Sequence, residues 1–207
     1  TMPHATDETL KSWFVPSFTP ANVNDLLKFG TAAIALSRYS GLWCSMKVIA
    51  DICDSTQVIE YDLDKYRANI PEREYDVSIR WPDSGLAQEE RIHDQKLPAV
   101  QEFLKHNKIN EIIHLHNRTN TARANLGIVV VGEAYNSLMT AIDYLDLTDE
   151  LDKRGISILK IGMSWPLQED MIAEFADNHS DILVIEEKGP LVEDQINKLC
   201  CEHKINV

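Results

Sequence analysis

The stretch "ILKIGMSWPL", residues 158–167, begins as a buried apolar strand and stops at Gly-Met-Ser-Trp-Pro. Gly162 allows the backbone to turn or to approach another segment closely, and Pro166 has no N–H to donate to a strand ladder. We expect Trp165 to place a large amphipathic side chain on the loop that follows the strand. The stretch therefore indicates a strand-to-helix turn whose loop carries a tryptophan.

This strand is one of three apolar runs that alternate with amphipathic segments in the last third of the chain. The runs are "LGIVVVG" (126–132), "ISILKIGM" (156–163) and "DILVIEE" (181–187). Continuous apolar strands separated by helices predict a parallel sheet that is covered by helices on both faces. We expect the strands near residues 126–131, 156–161 and 182–186, within an α/β domain of three layers.

The loops at the carboxyl ends of these strands are the candidate functional edge, since such loops gather there in parallel sheets. The candidate loop and interface residues are Gly132, Glu133, Tyr135, Gly162, Trp165, Pro166, Glu186, Glu187, Lys188 and Pro190. Neighbouring glutamates point to opposite faces of a strand, so Glu186 and Glu187 are not a paired-carboxylate catalytic site by spacing alone. An ion pair between Lys188 and a glutamate, which would fix the turn, is the expected arrangement.

Between Thr19 and Gly41 the sequence predicts one long helix. Thr19 is the expected N-cap, Pro20 suits the first helical turn, and Gly41 is a natural stop. Residues 42–53 are interpreted as a further helix because their apolar positions recur at helical spacing.

The middle of the chain has a different texture, with short alternating pieces. "TQVIEYDL" (56–63) and "EYDVSIRW" (74–81) have apolar residues at every second position, which is typical of strands. Two helices are expected over 86–96 and 98–108. A short strand at 111–116 and a polar linker at 117–125 follow in the sequence.

These changes of texture predict three parts. Residues 1–53 and 54–120 precede an α/β domain at 121–207, and the middle part is an α+β connector region. The chain starts at Thr1 without a methionine, which is what an excised or processed fragment would show.

The charge excludes one large class of functions. The chain has 33 acidic and 20 basic residues, a formal net charge of −13, so binding to nucleic acid through its phosphates is not expected. No apolar run reaches the length of a membrane span, and the first residues carry neither a basic leader nor an apolar core. We therefore expect no membrane association and no secretory signal.

The cysteines indicate a reducing compartment. Cys44, Cys53, Cys200 and Cys201 form no C-x-x-C motif, and adjacent cysteines rarely bridge each other. We predict four reduced thiols that bind no metal, no iron–sulfur cluster within this chain, and a cytoplasmic location.

One pair of histidines has a spacing that metal sites can use. His114 and His116 lie at i and i+2 on one face of a strand, but no third ligand is close in sequence. We interpret them as ordinary polar histidines at a strand edge. The chain contains no G-x-G-x-x-G fingerprint, no P-loop and no G-x-S-x-G elbow.

Three motifs together resemble a known family. "VVVGEAYNSLMTAIDYL", "ILKIGMSWPL" and "ILVIEEKGPLVEDQI" are similar, in order and spacing, to the indolepyruvate:ferredoxin oxidoreductase (2-oxoacid:acceptor oxidoreductase) family. They resemble its domain akin to the transketolase C-terminal domain. The chain departs from the family pattern at Glu133, where lysine is usual, and at Asp194, which lies one position past the usual glutamate. Upstream stretches are similar to the large single-chain members.

The resemblance implies a parent enzyme with chemistry that this chain does not contain. Family members decarboxylate a 2-oxoacid on thiamine diphosphate with magnesium, pass electrons through iron–sulfur clusters to ferredoxin, and capture the acyl group on coenzyme A. This chain has no Gly-Asp-Gly…Asn segment and no cysteine ladder. We expect no catalytic residue, cofactor or metal in it. Residues 1–53 would be the tail of a pyrimidine-binding-type domain, and the partners would be the remaining domains and the oligomer mates.

Two other functions remain open. A stand-alone doubly wound module could dock a protein partner through its acidic strand-end loops or regulate it. The chain could also be the C-terminal domain of a thiamine-dependent dehydrogenase β-chain that uses no ferredoxin.

Overall fold

The structure is a computed structural model that describes residues 6–59, 62, 64–72, 74–116 and 124–207. The helices are α1 (Thr6–Ser12), α2 (Val23–Ser40), α3 (Ala50–Cys53), α4 (Gly85–Arg91), α5 (Leu97–His106), α6 (Ala134–Tyr144), α7 (Leu151–Arg154), α8 (Glu169–Asp177) and α9 (Leu191–His203). The strands are β1 (Ser17–Phe18), β2 (Ser45–Met46), β3 (Glu111–His114), β4 (Ala124–Val131), β5 (Ile156–Ile161), β6 (Met163–Trp165) and β7 (His179–Ile185). Across these ranges, no helix is both long enough and apolar enough to cross a membrane.

The last third of the chain forms the parallel α/β unit that the apolar runs predict. β4 lies between β5 and β7 and pairs in parallel with both, while β3 pairs antiparallel with β5 at the edge. Val129 and Leu159 pack with α8 and α9, whereas Ile128 and Ile158 pack with α6 and α7. Successive residues point to opposite faces of a strand, so an unbroken apolar run feeds both clusters. The predicted strands and their parallel pairing are confirmed.

A second, three-stranded sheet begins where β5 ends. β6 follows β5 after the single residue Gly162 and pairs antiparallel with β1, which pairs in parallel with β2. A β-carbon on Gly162 would lie 2.2 Å from the Ile109 carbonyl oxygen and 2.5 Å from Phe29 Cζ. The buried Asn110 accepts hydrogen bonds through Oδ1 from the amides of Gly162 (2.9 Å) and Met163 (3.1 Å). Gly162 therefore passes the chain from one sheet into the other.

Trp165 lies in β6 and is 8% exposed, so the prediction that it stands on a loop is wrong. It is opposite Ser17 of β1 in the ladder, and its ring contacts Phe14 with the ring centroids 6.3 Å apart. The chain stays extended past Gly162 because β1 pairs with β6 there. The sequence around Trp165 contains no sign of this distant partner strand. In place of the turn predicted after residue 161, the chain passes from the four-stranded sheet into the three-stranded sheet.

The first part of the chain packs around α2 and α5. Phe29 and Leu36 of α2 meet Phe103 and Leu104 of α5, and all four are at most 1% exposed. Met163 of β6 joins the same cluster, so the small sheet and these two helices share one core.

The end of α2 is as predicted, but its start is not. Gly41 terminates the helix in the left-handed region, with φ 69°. The predicted N-cap at Thr19 is wrong, because the Asn22 side chain caps the helix and accepts from the Asp25 amide at 2.9 Å. Thr19 instead bonds β6, as described below.

The helix predicted over 42–53 is wrong. The strand β2 and the single helical turn α3 occupy this segment. β2 pairs with β1, far away in sequence, and this tertiary partner overrides the local helical spacing.

The strands predicted over 56–63 and 74–81 are also not formed. No strand occurs at 56–59, 62 or 74–81, and residues 60, 61 and 63 lie outside the described part of the chain.

In that segment Val77 is buried against the end of α2, where its carbonyl oxygen approaches Gly41 closely. Ile79 and Trp81 are 80% and 97% exposed. Of the alternating apolar residues only Val77 is buried, so the period-two pattern in the sequence corresponds neither to a strand nor to alternating burial.

The two helices expected over 86–96 and 98–108 are present, and a π-helical turn at Ile92–Lys96 joins α4 to α5 into one run. β3 confirms the short strand expected near 111–116. Most of the predicted linker, 117–123, lies outside the described residues, and residues 124–125 begin β4.

A buried ion pair connects α2 to β5. Lys160 Nζ lies 2.7 Å from Asp25 Oδ2, and the two residues are 7% and 5% exposed. The same oxygen accepts the Ala21 amide at 3.0 Å, and Lys160 Nζ stands 4.8 Å from the centroid of the Tyr135 ring. Buried charges are stable only when they are paired and hydrogen-bonded, so this contact fixes how α2 sits on the sheet.

Replacing Gly162 with alanine should lower the free energy of unfolding by about 3 kcal/mol, because the new β-carbon overlaps the Ile109 backbone and the Phe29 ring. Urea unfolding followed by circular dichroism measures the change. Gly189→Ala is the matched control, since nothing lies within 4 Å of its β-carbon position, and a change within about 0.5 kcal/mol is expected. Equal stabilities for the two variants would contradict the sheet-to-sheet passage.

Lys160→Met should lower the free energy of unfolding by about 3–5 kcal/mol, because it leaves the Asp25 carboxylate buried without its ammonium partner. Lys198→Met, which breaks an exposed pair with Glu202 on α9, should change it by less than about 1 kcal/mol. The double variant Asp25→Asn, Lys160→Met should recover part of the loss. If Lys160→Met were as mild as Lys198→Met, the pair would not hold α2 on β5.

Candidate functional site

A narrow cleft lies at the carboxyl ends of β4 and β7, and we call it the strand-end cleft. Gly132 and Glu133 follow β4, and Glu186 and Glu187 follow β7. The other lining residues are Asp7, Thr19, Pro20, Lys47, Ile49, Val131, Ser164, Gly189 and Leu191. Its internal volume is about 20 Å³, roughly the room needed by one water molecule.

The cleft is narrow because the segment before α2 lies directly on the strand ends. Gly132 has φ +60°, and a β-carbon there would lie 2.8 Å from Thr19 Cγ2. Thr19 Oγ1 donates to Ser164 Oγ at 3.0 Å, and the Thr19 amide donates to the Gly162 carbonyl at 2.8 Å. Ser164 Oγ in turn donates to the Ser17 carbonyl at 3.3 Å. The absence of a side chain at Gly132 thus permits the close approach, and these hydrogen bonds hold it.

Glu186 has a structural partner in the helix that follows it. Its carboxylate accepts the Val192 amide at 2.9 Å and the Glu193 amide at 3.0 Å, in the first turn of α9. A carboxylate is favourable there because the amides are free and the helix dipole is positive. The predicted ion pair between Lys188 and a glutamate is wrong within the described residues, since helix capping takes its place.

The charges that line the cleft are mostly negative. Asp7, Glu133, Glu186 and Glu187 face it, and Lys47 is the only cationic side chain among its lining residues in the described ranges. Lys47 Nζ lies 2.8 Å from Asp7 Oδ2 and is therefore paired. Such a site repels phosphates, and its walls hold no nucleophile beside a general base.

The other predicted residues do not line the cleft. Tyr135 faces Lys160, and burial, followed by the nearby Asp25 and Glu111 carboxylates, raises the pKa of its phenol. Pro166 lines a separate groove beside α5. Trp165 and Gly162 belong to the passage between the sheets, and Lys188 and Pro190 lie on the turn before α9.

The fold supplies a third group to the histidine pair. Asp152 of α7 places Oδ1 3.4 Å from His114 Nε2 and 3.5 Å from His116 Nδ1. Across the described part of the chain, no group of three or more His, Cys, Asp or Glu residues is arranged to hold a metal ion. The two imidazoles share one carboxylate, with which each can form an ion pair when protonated.

Sequence reasoning missed the part of the cleft wall that comes from the first 50 residues. Asp7, Thr19 and Lys47 carry no motif, and only their contacts with the strand ends reveal them. Ser164 lies within the stretch "ILKIGMSWPL", but its place in the cleft depends on its hydrogen bond with Thr19, which the sequence does not show.

Comparison with known proteins shows that this chain is similar to members of one family. Residues 116–205 match the profile of the indolepyruvate oxidoreductase domain. The indolepyruvate oxidoreductase subunit IorA of Methanothermobacter thermautotrophicus is 21% identical over 192 residues, which is 88% of this chain and 28% of that protein. IorA of Methanothermobacter marburgensis is 20% identical and covers 94% of this chain and 30% of its own length. IorA of Thermococcus kodakarensis is 30% identical over 73 residues, 35% of this chain and 10% of that protein.

A solved structure has the same fold. The 2-oxoglutarate:ferredoxin oxidoreductase from Magnetococcus marinus, with 2-oxoglutarate, coenzyme A and succinyl-CoA bound, superposes with a TM-score of 0.54 at 13% identity. The superposition covers 86% of this chain and 36% of that chain. This chain thus spans about 30% of the length of the two relatives that it matches throughout. The domain match over residues 116–205 and the IorA relatives agree with the motifs, and together they support a relationship between this chain and the indolepyruvate oxidoreductase family.

Proposed function

We propose that this chain is the part of a 2-oxoacid:ferredoxin oxidoreductase that builds domain contacts and shapes the acyl-acceptor side. The parent enzyme would oxidatively decarboxylate indolepyruvate or a related 2-oxoacid to an acyl-CoA, with ferredoxin as electron acceptor. Thiamine diphosphate, magnesium and iron–sulfur clusters would be held by the rest of the parent. The observation that carries this proposal is the coverage of the strand-end edge by the chain's own first 50 residues.

A doubly wound sheet usually binds its ligand at the carboxyl ends of its strands. Here Thr19 covers Gly132 and bonds Ser164, and about 20 Å³ remains. The edge therefore serves contact between two parts of the chain. This favours an internal structural role over a stand-alone module that docks a partner through the same loops.

The residues of the strand-end cleft do not fit thiamine diphosphate. A diphosphate needs cationic or magnesium-bound surroundings, whereas the strand-end cleft has four carboxylates and one paired ammonium. The sequence also has no Gly-Asp-Gly…Asn segment. No step of the parent reaction is assigned to these residues.

The cysteines do not fit an iron–sulfur cluster either. Burial raises the pKa of the Cys44 thiol to about 12, and burial together with Cys201 raises the pKa of Cys200. A cluster needs several cysteines that converge on one point, and in the described part of the chain no three His, Cys, Asp or Glu residues are grouped to hold a metal.

Thiol reactivity should separate the cysteines by burial. Near neutral pH, Ellman's reagent should modify the exposed Cys53 and Cys201 quickly and Cys44 very slowly, because Cys44 has almost no thiolate far below its pKa. Cys44 should gain reactivity only as the pH approaches about 12. Four thiols should react after denaturation without reductant. A count of two or fewer, or rapid labelling of Cys44 in the folded chain, would contradict the assignment.

The chain by itself should be catalytically silent. In titration calorimetry, thiamine diphosphate with magnesium should bind no more tightly than inorganic diphosphate with magnesium, because the strand-end cleft offers no cationic site that would recognise the cofactor. Viologen reduction with indolepyruvate and coenzyme A should stay at background. A full-length family enzyme in the same assays is the positive control, and turnover by this chain alone would overturn the proposed role.

A further inference from the structure

A groove of about 440 Å³ lies between α2, the loop at 64–69 and the end of α5, and we call it the basic groove. Its volume falls in the range of small-molecule sites. Its lining residues are Asn24, Lys28, Ala32, Lys65, Tyr66, Arg67, Ala68, Asn69, His106, Asn107, Lys108, Ile109 and Glu111. It shares no residue with the strand-end cleft, and the proposed function makes no use of it.

The groove concentrates cations in a chain whose net charge is −13. Lys28 pairs with Glu111, which is the only carboxylate among the lining residues in the described ranges. Lys65, Arg67 and Lys108 are exposed and form no ion pair with any described residue. Several lysines outside the groove pair with acids, as Lys47 does with Asp7 and Lys105 does with Asp170. The three unpaired cations come from two separate segments and face one space.

Side-chain and backbone hydrogen bonds hold the loop that carries Lys65 and Arg67. Tyr66 donates through its hydroxyl to Asn24 Oδ1 at 2.8 Å, and its carbonyl accepts from Thr31 Oγ1 at 2.6 Å. Asn69 donates its amide to Asn107 Oδ1 at 2.8 Å and accepts from Asn107 Nδ2 at 2.7 Å. The cations therefore stand on a loop that is fixed to α2 and to the end of α5. A preorganised loop lowers the entropic penalty of binding.

We propose that the basic groove binds a small ligand that carries two or more phosphate groups. Phosphate oxygens accept charge-assisted hydrogen bonds from lysine and bidentate ones from arginine, and unpaired cations leave these donors available. The acidic residues Asp62 and Asp64 are close to Lys65 in the sequence, but they do not line the groove.

Titration calorimetry of the full chain with inorganic tripolyphosphate tests this site. The double variant Arg67→Gln, Lys108→Gln should weaken binding about tenfold or more, because each lost contact is a hydrogen bond to a charged group. Lys198→Gln, Lys204→Gln removes the same charge at the far end of α9 and should change the Kd less than about twofold. Raising the salt from about 50 to about 300 mM should weaken binding to the unmodified chain.

Two further ligands distinguish the source of the recognition. ATP that binds as tightly as tripolyphosphate would assign the affinity to the phosphates, and tighter binding of ATP would assign a nucleotide to the groove. An oligoglutamate of equal charge that binds as well as tripolyphosphate would overturn the proposal in favour of an acidic protein segment. No binding by the unmodified chain, or equal losses in both double variants, would also overturn it. None of these outcomes depends on turnover, so a failure here leaves the proposed function intact.

Discussion

The passage of the chain at Gly162 is the constraint on which both sheets depend. The Ile109 carbonyl and the Phe29 ring leave no room for a side chain there, and Asn110 accepts the two amides that begin the new direction. Because β5 continues into β6 without a loop, the large sheet supplies a strand to the small one. Met163, the next residue, then lies in the core of α2 and α5. One glycine thus joins the parallel unit to the helices that precede it in sequence.

The same arrangement explains why the strand ends are covered. Once β6 pairs with β1, the residues after β1 are carried across the ends of β4 and β7, and Thr19 reaches Gly132. The buried pair of Asp25 and Lys160 holds the start of α2 at the same edge. Burial makes this pair depend on its geometry, because neither charge is stable alone in that environment. The edge that could bind a ligand in an isolated domain becomes an internal contact.

The acidic composition hides a local separation of charge. Carboxylates line the strand-end cleft, and Glu186 is bonded to the first amides of α9. The basic groove has the opposite sign, with cations that no described residue neutralises. Net charge governs long-range behaviour such as solubility, whereas a ligand responds to the groups within a few ångströms of it. The ligand preference of each site therefore depends on the charged residues that line it. The negative net charge of the chain agrees with the acidic strand-end cleft but gives no sign of the basic groove.

The sequence determined the parallel unit and the resemblance to a family, because both depend on local information. Strands buried on two faces must be continuously apolar, and the Trp-Pro-Leu and Glu-Glu-Lys segments are short motifs that lie close to them in the sequence. Gly41 marks the end of α2 for the same reason. The left-handed backbone conformation that ends a helix favours glycine at that one position, so the sequence shows it directly.

The tertiary structure alone decided where Trp165 is buried, which residues close the strand-end cleft, and which carboxylate meets His114 and His116. It also decided that residues 74–81 lie across a helix end, where Val77 is buried without a partner strand. Asp25 and Lys160 are 135 positions apart, and no periodicity in the sequence records such a contact. Partners that are distant along the chain meet only when the whole core is assembled, so their pairing leaves no signal in either segment by itself.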